Sequence, residues 1–292
     1  MRATTKAHIA VLLTNFFFAT NLSLVKHISP SLIGPFGVNL FRVGITLILF
    51  WLLWVFSKQE AGIDKKDIPR FVACALTGVV INQMLFVKGL TITSTLHAAL
   101  LMLTTPLLIS VLALWWLKER FTIQKALGLL LGIGGAMLLI LSRDTSGVAS
   151  VQGDLLILVN AISYAIYFSM VKPLTNRYSP LHVIRWVFTF GFIMIVPFSW
   201  QDAVEAHWQT AAISQWLALG SVVLCGTFLT YSFNSYSLKH LGAATTGSYI
   251  YTQPLFAALI AALFLQEGFS IEKTLAGTLI FGGVYLGSRS KT

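Results

Sequence analysis

Nine polar or aromatic residues sit within long apolar stretches, where their side chains could together hold a small solute: Asn15, Asn82, Phe86, His97, Asn160, Tyr164, Thr230, Asn234 and Tyr249. Amides bond to carboxylate and amine groups, and aromatic faces accept cations or apolar side chains, so the set suits a small zwitterionic or polar-aromatic molecule. A buried amide or imidazole is costly without a partner. Each residue is therefore either a clamp between helices, contributing about 0.6 kcal/mol on average, or part of a polar chamber. Recurrence favours the chamber. Asn15 and Asn160 occupy matching places, and Asn82 with Phe86 meets Thr230 with Asn234 at a shift of 148, each pair four apart on one helical face. The same shift pairs His97 with Thr245, with Tyr249 one turn further on. His97 is the one histidine deep in an apolar stretch and the candidate for carrying a proton. No Asp or Glu is found mid-stretch, which speaks for facilitated diffusion or coupling through His97 and against sodium symport.

The sequence argues against several other chemistries. It holds no Ser-His-Asp set, no metal-ligand spacing around Cys74 or Cys225, and no phosphate loop. No enzyme activity, metal or cofactor is expected. Pro106 and Pro254 fall near the middle of apolar stretches, where each removes a backbone donor and frees a carbonyl; they are the candidate hinges. Glu119 and Glu267 follow apolar helices and read as scaffold, accepting from backbone donors of the next helix. Gly128 with Gly132 and Gly283 with Gly287 have the spacing for close helix approach, within one chain or across a homodimer seam, although a monomer suffices.

These residues are positioned by elements that lipid must solvate. The 292 residues are 56% hydrophobic and only 10% charged, with a mean hydropathy of +0.79; a soluble domain carries about 25% charged residues. Continuous apolar runs of about 20 residues indicate helical spans rather than barrel strands. They fall at 7–26, 34–56, 69–88, 94–117, 124–141, 153–172, 180–200, 214–238, 243–265 and 272–288. Setting aside Arg42 and Arg185, which fall well within spans, fourteen of the Lys and Arg residues lie on the side of the N-terminus and four (Lys26, Lys88, Arg143 and Lys273) on the other. That bias places both termini in the cytoplasm. It also explains the net charge of +10 without a nucleic-acid partner.

"TTPLLISVLALWWLKERFTIQKALGLLLGIGG" (104–135) is echoed by "TQPLFAALIAALFLQEGFSIEKTLAGTLIFGG" (252–283). The echo divides the chain into repeats over 1–145 and 146–292, of five spans each, joined by the Ser- and Gly-rich stretch 142–154. Five is odd, so the copies are expected to cross the bilayer inverted, and the charges follow: four basic residues at 57–70, none at 201–213. The expected fold is an all-α integral membrane protein of ten transmembrane helices in two inverted five-helix repeats, an architecture of secondary transporters.

The motifs "P…LKERFTIQKALGLLLGIGG" and "P…LQEGFSIEKTLAGTLIFGG" resemble the EamA-type branch of the drug/metabolite transporter superfamily, over nearly the whole chain. The resemblance implies a central cavity and transport, commonly export, of amino acids and related metabolites across the cell (inner or plasma) membrane. Arg42 in "NLFRVG" fits that family's habit of a basic residue on the second helix. The readings in competition are a membrane-embedded receptor and a channel-like pore for small solutes.

Overall fold

The computed structural model describes residues 3–56, 62–105, 108–109, 112, 123–141, 150–234, 236–237, 240–241, 249–260 and 270–289. Among these residues every regular element is helical. In chain order they are α1 (Ala3–Ile28), α2 (Pro35–Val55), α3 (Lys65–Ile92), α4 (Thr95–Met102), α5 (Ile123–Leu141), α6 (Val151–Thr175), α7 (Pro180–Val204), α8 (Ile213–Asn234), α9 (Gln253–Ile260) and α10 (Ile271–Arg289). Six of them (α1, α2, α3, α6, α7 and α8) are long and apolar enough to cross a membrane.

Local chemistry sets where the helices begin. Ser94, Ser150 and Ser179 cap α4, α6 and α7, each hydroxyl accepting the backbone N–H three residues on. Pro35 and Pro180 occupy first-turn positions, where a missing N–H costs nothing. Two helices depart from α geometry: α3 passes through a π-turn at Leu76–Ile81 and α8 through one at Leu224–Leu229. In α8 the Thr227 and Thr230 hydroxyls each donate to the carbonyl five residues back, Val222 and Cys225.

The elements recur at a fixed offset. Moving 148 residues along the chain carries the start of α1 to that of α6 and the start of α3 to that of α8; it also superposes both ends of α5 on those of α10. The π-turns coincide under the same shift.

Equivalent helices then pair antiparallel. In α2 and α7, Phe36 and Gly37 meet Asp202, Gly44 meets Phe192, Phe50 meets Phe188 and Trp51 meets Trp186. In α5 and α10, a Cβ on Gly135 would lie 2.8 Å from the Ala276 carbonyl oxygen and one on Gly283 2.5 Å from that of Gly128. The first helix of each set packs on the third of the other: α6 on α3, with Gly78 against Tyr167, and α1 on α8, with Gly226 against Asn21. Outward faces carry exposed apolar side chains such as Ile48, Leu130, Phe198 and Leu217.

Pro254, a candidate hinge, is the second residue of α9, directly after a 3-10 turn at Tyr249–Thr252. One sequence expectation needs correction. Asp154 is not linker. It lies in the first turn of α6 and is 1% exposed, so a buried carboxylate stands at the start of that helix. Pro106, Glu119, Thr245 and Glu267 lie outside the described residues.

Candidate functional site

Three helices converge on one buried cation. Asn39 and Arg42 share a face of α2, Gln83 and Phe86 a face of α3, and Thr227 and Tyr231 a face of α8. The Asn39 side-chain amide donates to the Gln83 carbonyl at 3.2 Å. Arg42 Nε donates to Thr227 Oγ1 at 2.6 Å. Its guanidinium carbon stands 6.0 Å from the centre of the Phe86 ring, and Tyr231 lies within its electrostatic reach. The Thr227 hydroxyl, donating to the Val222 carbonyl just before the π-turn, has its acceptor lone pair aimed at Arg42. The turn thus fixes the guanidinium.

Arg42 is 3% exposed, and its Nη1 has no hydrogen-bond partner. Asn39 Oδ1 has none either, and neither end of the Gln83 side chain makes a well-formed bond, although Tyr231 stands beside it. Tyr164 and Tyr167 complete the neighbourhood, each coupled electrostatically to Tyr231, with their own rings 5.7 Å apart.

No carboxylate among the described residues pairs with Arg42. Asp64 and Asp67 bind Arg177, Asp154 binds His97, and Asp202 accepts from the Phe36 and Gly37 N–H groups. Glu205 accepts from Gln201, and Glu272 is bonded to Ser270. A charge in this environment is expensive unless a counter-charge reaches it.

The nine sequence-selected residues fall into separate groups. Phe86 and Tyr164 belong to the cluster just described. Asn82 and Asn160 form a reciprocal clasp between α3 and α6, each side-chain amide donating to the other's carbonyl at 3.3 and 2.6 Å. Asn15 accepts from Gln253 of α9 at 2.8 Å and donates to Val11 of its own helix. Tyr249 meets His8 at 2.9 Å. Thr230 is turned to its own π-turn, and Asn234 lies one helical turn further along α8.

His97 stands apart, and it is not alone. Its Nδ1 is 2.9 Å from Asp154 Oδ2, and the Thr93 hydroxyl donates to Asp154 Oδ1. All three residues are at most 1% exposed. Asp154 escaped sequence reasoning because it follows a Ser- and Gly-rich stretch; the signal was Ser150, a helix cap placed four residues before it. Gln83, Asn39, Thr227 and Tyr231 also went unselected. Arg42, the one charge in Pro35–Val55, was visible without its partners.

The model for the EamA-like transporter family matches this sequence twice, over residues 5–141 and 151–289. An uncharacterized transporter of Archaeoglobus fulgidus is 23% identical over 289 residues, covering 98% of this chain and 100% of that protein. The uncharacterized transporter YetK of Bacillus subtilis is 24% identical over 245 residues, 82% of this chain and 74% of that protein. A WAT1-related chloroplastic protein of Arabidopsis thaliana is 26% identical over 288 residues, 94% of this chain and 68% of its own. A solved crystal structure superposes with a TM-score of 0.65 at 16% identity, covering 97% of this chain and 95% of the other. That likeness speaks to the fold alone.

Proposed function

The chain belongs to the EamA-like transporter family, and on that premise we propose that this multi-pass membrane transporter is a secondary carrier. Its cargo is a small polar metabolite of the amino-acid class, moved outward across the cell membrane by alternating access. Two inverted units of five spans, 1–145 and 146–292, with cytoplasmic termini, provide the alternation. One observation carries this reading: equivalent helices run antiparallel against each other, α2 on α7 and α5 on α10. Helices related by duplication that oppose one another imply that a motion available to one half is available, upside-down, to the other. The buried polar cluster on α2, α3 and α8 then lies where either compartment can reach it in turn.

Support against a pore comes from the same cluster. Arg42, Asn39, Gln83, Phe86 and Thr227 are buried, whereas a conducting path needs charge rings or open backbone filters along a wet passage.

Two measurements test the proposal. Purified protein in liposomes is expected to show saturable uptake of labelled amino acids with counterflow; flux that neither saturates nor exchanges would establish a pore instead. In intact cells, single cysteines at Gly62 and Ala206, in a background with Cys74 and Cys225 replaced, are expected to label from opposite sides. Labelling from a common face would end the inverted arrangement.

A further inference from the structure

We propose that Arg42 is the anion-binding residue of the transport site and that the transported molecule docks on it through a single carboxylate. The inference rests on the transport reading and adds the charge and the contact residue. Arg42 lies seven residues into α2, about 10 Å along the helix axis from its start. It is 3% exposed, and Nη1 has no hydrogen-bond partner. Guanidinium stays protonated in proteins, so the group cannot relieve its burial by losing a proton. Every carboxylate of the described residues is committed elsewhere, to Arg177, Lys66, His97, Gln201, Ser270 or the start of α2. Among the described residues Arg42 has no counter-charge, and on this proposal the transported molecule supplies it.

The surroundings narrow its class. No second described cation joins Arg42: Arg185 of α7 stacks on Trp51 and Trp54 at the far end of α2. One guanidinium balances one negative charge, which fits a carboxylate and leaves a phosphate dianion uncompensated. The unpartnered Asn39 Oδ1 offers an acceptor for an amino or hydroxyl group next to that carboxylate. Phe86 and Tyr231 give an apolar or aromatic body a surface to lie on. The duplication does not repeat the site. At the positions 148 residues from Arg42 and Thr227 stand Phe190 and Val79, so the Arg42–Thr227 contact is not repeated there.

The test uses the full-length protein in detergent, with thermal stabilisation as the binding readout, and five probes: phenylacetate, L-phenylalanine, phenylacetamide, phenethylamine and phenyl phosphate. Wild type is expected to be half-saturated by the two carboxylates at concentrations at least about tenfold below those needed for the neutral amide, the amine or the phosphate ester, the span of one charge-assisted hydrogen bond. Arg42→Gln is expected to erase that preference and Arg42→Lys to keep part of it. Equal binding of phenylacetate and phenylacetamide by wild type overturns the proposal even if Arg42→Gln does not fold. So does an unchanged carboxylate preference in a folded Arg42→Gln or, where only that variant folds, in Arg42→Lys set beside Thr227→Val. Tighter binding of phenyl phosphate than of phenylacetate overturns the carboxylate assignment. Counterflow in liposomes is scored separately, so loss of carriage with Arg42-dependent binding retained indicts the transport reading and not the anion site.

Discussion

Replacing Asp154 with alanine is expected to be among the most damaging single changes outside the Arg42 cluster. The carboxylate receives the Thr93 hydroxyl on one oxygen and faces His97 Nδ1 at 2.9 Å on the other. Thr93 is 0%, His97 1% and Asp154 1% exposed, so water cannot replace what is removed. The Thr93 hydroxyl and the His97 ring are both orphaned, and each orphaned buried group costs about 1–3 kcal/mol. Together they come to roughly 4 kcal/mol. At about 2–4 °C per kcal/mol for a chain of this order of size, the thermal midpoint is expected to fall by on the order of 10 °C. Asp154→Asn retains shape and an acceptor and is expected to lose less than half of that. The assay is loss of monodisperse protein after heating, at one fixed heating rate because unfolding in detergent is irreversible. A double-mutant cycle with His97→Ala isolates the pair, with an expected coupling of at least about 1.5 kcal/mol. A midpoint within 2 °C of wild type for Asp154→Ala, or strict additivity with His97→Ala, would refute the reasoning that the pair is dry and mutually dependent.

The remaining predictions concern packing, capping and pH. Gly283→Ala places a Cβ 2.5 Å from the Gly128 carbonyl oxygen and 2.7 Å from the Gly132 nitrogen, both backbone, and is expected to cost about 1–3 kcal/mol; Gly282→Ala meets nothing within 4 Å and is expected to be neutral in the same melting assay. Asp202→Ala uncaps α2, removing acceptors for Phe36 and Gly37 at 2.8 and 3.2 Å, and is expected to lower stability by about 0.5–2 kcal/mol and to speed amide exchange at those two residues. Burial, with the neighbouring Asp67 and Asp64 carboxylates, pushes the Tyr178 phenol above the usual tyrosine range. A raised value means that the stabilising contact with Asp67 is complete below the pKa of an unfolded tyrosine and is lost as pH climbs through the folded one; melting curves for wild type and Tyr178→Phe are expected to converge only at strongly alkaline pH.

Helix placement was legible because lipid demands continuous apolarity and because caps such as Ser179-Pro180 write a start into the sequence. The spans read as 124–141 and 272–288 lie within one residue of α5 and α10 at their starts. The polar groups were harder. Asn82 and Asn160 looked like chamber residues, but an amide can turn inward to a neighbouring backbone as readily as outward to a solute, and composition does not record which. Asp154 was hidden because a charged residue at the edge of an apolar run has the same local sequence whether it faces water or a histidine on another helix. Arg42 was conspicuous, yet Thr227 is 185 residues away and nothing local announces the pairing.

The two π-turns have a geometric consequence for the ligand cluster. A π-turn is an α-helix carrying an extra residue, and one residue of helix is about 100° of rotation. Gln83 and Phe86 follow the turn at Leu76–Ile81, and Tyr231 follows the turn at Leu224–Leu229. Deleting a single residue from either turn would leave a straighter, better-bonded helix and swing everything beyond it a quarter-circle around the axis, carrying those side chains off the guanidinium. The irregular turns therefore act as indexing stops: they trade backbone regularity for the azimuth at which α3 and α8 present their side chains to Arg42.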